Sequence, residues 1–183
     1  MKAEDVRERL SFAEKRLKEL LTLNGGNLPG ADGSERQQLL QEFFFHLVGA
    51  TEVLAQLVNE KRGLGIDPER VMIRSVVGKL LSADPVRPQL SSLHIRTQGQ
   101  PLPSNPYSDE GYIFRILNYR HQVTHRRRNP FLFRVGSSPP ASFFLDPRGP
   151  HPNRVPSNRS AQEEMEYMLD LVRTKCEKVL CLL

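Results

Sequence analysis

Cysteine is scarce in this 183-residue chain: Cys176 and Cys181 are the only two. A spacing of five puts them roughly 140° apart on a helix, too far round for a local disulfide. Two sulfurs cannot close a zinc site either, so no disulfide scaffold is expected and both read as helix cysteines. Long apolar runs are missing as well. Nowhere do eighteen apolar residues stand together, and the opening MKAEDVRERLSFAEKRL holds no apolar signal core. The expectation is a chain with no membrane-spanning segment, in a reducing, cytoplasmic compartment. The G-x-x-x-x-G-K-[ST] phosphate loop, the dinucleotide fingerprint and the nucleophile elbow are all absent. Their absence leaves little basis for a conventional ATPase, dehydrogenase or esterase. No tandem repeat is evident.

What is present favours helices. Apolar residues make up 38% of the chain, low for a globular protein but compatible with long surface loops, and charged residues 26%. A net charge of +5 and a pI near 9.5 describe a mildly basic surface that attracts phosphate-rich or acidic partners. The length favours one domain over residues 1–183, with ample material for a core.

The periodicity predicts a first helix over Ala3–Leu23, with Val6, Leu10, Phe12, Ala13, Leu17, Leu20 and Leu21 on its apolar side. Asn24-Gly25-Gly26-Asn27 should stop it. Ser34 and Gln37 fit a capping box for a second helix, whose many apolar residues, Phe43, Phe44 and Phe45 among them, make it the candidate central helix, ending at Gly63 or Gly65. Asp67-Pro68 opens a third that runs to Asp84-Pro85. Residues 85–107 hold five prolines and suggest a connector with one short helical turn near Leu90–Ile95. A fourth helix spans Ser108–Arg128, and Pro130 limits it. Residues 129–159 are rich in Pro and Arg and read as a loop, an irregular cover or a short strand pair. The last helix starts at Ser160, with Glu163 as its capping partner. The fold class expected is all-α: an antiparallel bundle of four to five main helices, with a long Pro-rich loop before the last.

The fourth helix carries the chemistry-bearing residues. At about 100° per residue, Tyr112, Ile116, Tyr119 and Val123 cluster on one arc, while Arg120, Thr124, His121, His125 and Arg128 follow beside it. An arginine presents a fixed fork of donors to phosphate, and an imidazole titrates near neutrality and can move a proton. RNA supplies its own nucleophile, the ribose 2′-hydroxyl. Arg120 beside His125 could therefore promote attack of that hydroxyl on the adjacent phosphorus without a metal, leaving a 2′,3′-cyclic phosphate and a 5′-hydroxyl.

The segment Arg120-His121-Gln122-Val123-Thr124-His125 resembles the R-polar-x3-H signature of the HEPN superfamily, the higher eukaryote and prokaryote nucleotide-binding helical proteins. The helical layout extends the resemblance over much of the chain. It implies a metal-independent endoribonuclease of a defence or toxin–antitoxin system. It also implies a homodimer and a partner such as an antitoxin or a nucleotidyltransferase-like protein. By that resemblance Arg120 engages the scissile phosphate and His125 is the general acid/base. His121 holds the polar position, with Thr124 and Tyr119 in support. A histidine at that polar position is a departure from the asparagine or aspartate often found there.

Plainer readings stand beside these. Arg120 also suits an ion pair with Asp or Glu, and His125 a solvent-facing helix position. His121 and His125 could share a metal ion, but no H-E-x-x-H glutamate or third ligand is near, so neither metal nor other cofactor is expected. Arg126, Arg127 and Arg128, with Arg134 beyond, either hold an RNA backbone or complement the helix dipole. Tyr119 is either a base-stacking ring or a core residue. The non-enzymatic alternative is a helical dimer that binds RNA or protein without cutting.

Overall fold

A broad apolar arc makes the second helix the centre of the protein. In the computed structural model this helix, α2, runs from Gly33 to Lys61 and lies against α1 (Ala3–Leu23), α3 (Ile73–Lys79), α5 (Asp109–His121) and α6 (Ala161–Leu180). Its buried residues, from Leu40 to Val58, cover about half of the helix circumference, which one flanking helix could not fill. A 3-10 turn (Pro68–Arg70), the short α4 (Val86–Ser91) and two strands, β1 (Phe131–Arg134) and β2 (Ala141–Phe144), complete the described elements. The structure describes residues 1–23, 33–94, 103, 105–121, 131–134, 141–144 and 159–183. Among these no helix is long and apolar enough to cross a membrane.

Ion pairs show how the helices run. Arg9 and Arg16 of α1 meet His46 and Glu42 of α2, so the two helices are antiparallel. Arg7 and Glu14 of α1 meet Glu177 and Arg173 of α6, again antiparallel. Buried apolar side chains of these elements join in one core cluster, with Phe44 of α2 packed on Tyr119 of α5 at 5.6 Å between ring centres. The fold is a predominantly helical, broadly antiparallel bundle, as the periodicity predicts. The segment between α5 and α6 contributes a strand pair, Phe131 opposite Phe144 through Arg134 opposite Ala141, with β2 beside α6.

Local signals account for the ends. Gly63 and Gly65 take positive φ angles of 58° and 65°, which L side chains rarely adopt, and the chain turns there after α2. The Asn59 side chain secures that turn by receiving the Ile66 N–H and donating to the Ile66 carbonyl. At α6 the Ser160–Glu163 capping box forms in both directions. The Ser34 side chain lies outside the described residues, and α2 begins one residue before it.

The third helix departs from expectation. Instead of one helix from 67 to 84, Asp67 caps a single 3-10 turn, the chain extends through Val71 and Met72, and α3 begins only at Ile73. Ser75 holds the break: its hydroxyl receives the Met72 N–H and donates to the Met72 carbonyl. Val71, Ile73, Val76 and Val77 have branched side chains that favour a helix weakly, and the break buries both Val71 and Ile73. The following turn is also earlier than expected, because Asp84 Oδ1 receives the Val86 N–H and starts α4 there.

The first turn of α5 is pressed against the preceding chain. A Cβ placed on Gly111 would stand 2.4 Å from the Asn105 carbonyl oxygen and 2.5 Å from the Pro106 carbonyl carbon. Both are backbone atoms and cannot swing away. Gly111→Ala is therefore expected to destabilise the protein by about 1–3 kcal/mol, as overpacking does. A urea midpoint unchanged from wild type would show that this approach is not needed.

Candidate functional site

Arg120 sits in the last turn of α5 with its side chain 38% exposed. Its Nη1 is 3.8 Å from Oε1 of Glu52 on α2, whose side chain is 53% exposed. So long a pair between solvated side chains contributes little stability and can be displaced by a phosphate. His121, the next residue, is exposed. Thr124, His125, Arg126, Arg127 and Arg128 lie outside the described residues, and of Arg134 only the backbone in β1 is described. Tyr119 is fully buried, which corrects any base-stacking role: its ring packs on Phe44 and its hydroxyl oxygen receives Nε–H of Arg115 at 3.0 Å. The described residues thus bring Arg120 and Glu52 together at the surface, with the exposed His121 next to Arg120 in sequence.

On the opposite side of α5 lies a polar centre that sequence reasoning missed. Arg115 is 1% exposed and pairs through Nη2 with Glu164 of α6, itself 0% exposed. Its Nη1 donates to the Pro106 carbonyl at 3.4 Å. The guanidinium also lies near three aromatic rings, 4.9 Å from Tyr112, 5.2 Å from Tyr107 and 5.5 Å from Tyr119. Tyr167 extends the group, packing on Tyr112 at 4.6 Å and donating its hydroxyl to Asp109 at 2.8 Å. All four tyrosines of the chain gather at this α5–α6 seam. Burial alone would lower the Arg115 pKa, but Tyr119 and Glu164 reverse that and leave it raised, so the group remains a cation. The signal in the sequence was weak, because Arg115 falls about 40° outside the arc of Tyr112, Ile116, Tyr119 and Val123.

This centre fixes α5 rather than reacting. Arg115 and Arg120 are five residues apart, roughly 140° round the helix, so the buried pair locks one side while Arg120 faces α2. The lock therefore sets the rotation and depth at which Arg120 and His121 reach the surface.

A second surface lies on the outer side of the α1–α2 pair. Phe12 and Phe45 are 40% and 49% exposed, although both belong to the apolar sets of their helices. Phe12 falls about 120° from the buried stripe of α1, and Phe45 opposite the buried arc of α2. His46 lies between them, 5.2 Å from Phe12 and 5.4 Å from Phe45. Burial, and then the charges of Arg9 and Arg16, hold the imidazole below its ordinary pKa, with Glu42 opposing. The unfolded chain therefore takes up this proton first as pH falls. Stability should be complete above the unfolded value of about 6.5 and decline as pH drops from there towards the folded pKa. His46→Gln is expected to flatten that slope in urea midpoints taken between about pH 5 and pH 8. An identical slope in the variant would assign the dependence elsewhere.

Among the described residues, no group of three His, Cys, Asp or Glu side chains is placed to hold a metal ion. Comparison with protein-family models, curated proteins and solved structures gives no match to this chain.

Proposed function

We propose that the protein is a metal-independent endoribonuclease whose site is built at the carboxyl end of α5 around Arg120 and His125. The observation that carries the reading is the placement of Arg120. It is partly exposed in the last turn of a helix locked from its other side, and among the described residues its ion-pair partner is Glu52, in a long, solvated pair. A phosphate competes well for such a guanidinium, because bidentate binding matches its fork and the existing pair is weak. The chain continues through His125 into Arg126-Arg127-Arg128, a proton carrier followed by a concentration of charge suited to a phosphate backbone.

In this mechanism His125 takes the proton of the ribose 2′-hydroxyl and passes it to solvent, the 2′-oxygen attacks the adjacent phosphorus, and the phosphorus–5′-oxygen bond breaks as that oxygen takes a proton from water. Arg120 stabilises the charge gathering on the phosphoryl oxygens. The products are a 2′,3′-cyclic phosphate and a 5′-hydroxyl. By the HEPN resemblance the active form is a homodimer, and an antitoxin or nucleotidyltransferase-like protein is its partner. The test is incubation of labelled mixed-sequence RNA with the purified protein in excess EDTA, followed by end-group analysis. Cyclic phosphate ends are expected; linear 3′-phosphate or 3′-hydroxyl ends formed without a cyclic precursor would exclude this route.

One observation favours a second reading. Arg120 does have an acidic neighbour, Glu52, as a purely structural surface arginine would. A helical dimer that binds RNA or protein without cutting it would show no cleavage across RNA substrates and pH.

A further inference from the structure

The exposed aromatic face of α1 and α2 has a chemical composition of its own. Arg9 lies with its guanidinium 5.6 Å from the centre of the Phe45 ring, and its Nη1 is 3.4 Å from Nδ1 of His46. No carboxylate among the described residues stands within ion-pair distance of it. The neighbouring cation differs. Arg16, one turn along α1 from Phe12, is engaged by Glu19 and Glu42. Phe45 and Glu52 are seven residues apart on α2, two helix turns, so the aromatic face lies about 10.5 Å along the helix from the Arg120 contact.

We propose that the Phe12–Phe45 face is a base-stacking platform for single-stranded RNA, with Arg9 holding a phosphate beside the stacked base. The inference deepens the ribonuclease reading and rests on it for the identity of the ligand: the platform would seat the strand whose scissile phosphate reaches Arg120. Exposed rings stack on any base because every base has a π-face, and a nearby arginine adds charge without sequence preference. The described residues give Arg9 no carboxylate within ion-pair distance, and a nucleic-acid strand brings an anion at every nucleotide. A second copy of the chain, docked symmetrically, would set another Arg9 cation near this one, whereas a strand brings only phosphate charge.

The test measures binding apart from cleavage. A fluorescent, fully 2′-O-methylated single-stranded RNA lacks the nucleophile and stays intact, so anisotropy titrations of the full-length protein report affinity alone. Phe45→Ala is expected to weaken binding by about 5- to 100-fold, the usual range for losing one stacked base. Phe12→Ala should weaken it too, Phe45→Trp should preserve it, and Arg9→Ala should reduce its salt dependence. Both phenylalanines are exposed, and unchanged circular dichroism would confirm that the variants are folded. Wild-type affinity in the two alanine variants would overturn the platform while leaving cleavage at Arg120 untouched. Stacking-dependent binding by a protein that never cuts unmodified RNA would uphold the platform and remove the nuclease. No binding by wild type would remove the platform. So would loss of a dimer in sedimentation, with RNA affinity kept, which would assign the face to a second copy.

Discussion

Glu164→Ala is expected to lower the stability of the protein by about 3–5 kcal/mol, the cost of leaving one charge of a buried pair without its counterpart. The environment of Arg115 sets the size of the effect. Its guanidinium is 1% exposed among Tyr107, Tyr112 and Tyr119, where water cannot replace the lost carboxylate. Nor can it escape by losing its proton, since an arginine keeps its charge at any ordinary pH. For a chain of this length the loss corresponds to a fall in Tm of about 6–20 °C. Arg115→Met together with Glu164→Leu removes both charges and refills the space, so it should recover much of the lost stability. Urea denaturation of wild type, Arg115→Met, Glu164→Leu and the double variant forms a closed cycle. If the double variant were as unstable as the sum of the singles, the pair would not be acting as a unit.

His125→Ala should lower RNA cleavage by about 10²- to 10⁴-fold, the usual worth of a positioned acid/base group. Arg120→Ala should reduce it severely too, since the charge on the phosphoryl oxygens would lose its nearest donor fork. Arg120→Lys separates charge from shape: a lysine keeps the cation but cannot make two parallel hydrogen bonds, so it should recover only part of the rate. These Arg120 substitutions should leave stability within about 0.5 kcal/mol of wild type, because the side chain is on the surface and its pair with Glu52 is solvated. A loss of activity could then not be put down to unfolding. Initial rates in excess EDTA decide the matter, and cleavage by His125→Ala at the wild-type rate would reject His125 as the acid/base group.

The two sets of variants are coupled through α5. The seam that holds Arg115 also fixes the helix that ends in Arg120 and His121. Repacking Arg115 and Glu164 as apolar residues could thus keep the fold while loosening the orientation of the surface residues. Comparing cleavage by the double variant with its stability would separate the two contributions.

The helices with strong local signals were legible from the chain itself. The bounds of α1 follow from a regular apolar stripe, and α6 begins where Ser160 and Glu163 can satisfy each other's backbone N–H groups. Gly63 and Gly65 end the long central helix for the same local reason, a backbone conformation other residues avoid. Periodicity overreached where several weak helix formers met, at Val71–Val77, because it cannot see that breaking the helix buries more of them. It also counted Phe12 and Phe45 with the apolar faces, yet both are in water.

At the candidate site the chain alone determined the order Arg120, His121 and His125, followed by three arginines. The helical spacing expected for them is described only as far as His121. Only the tertiary structure decided that Arg120 faces Glu52 at the surface while Tyr119 beside it is sealed in the core. It alone brought Arg115 and Glu164 together across 49 residues, and Arg9 to His46 across 37. Such contacts depend on which helix faces pack together, a choice made by burial over the whole bundle rather than by any short stretch of sequence.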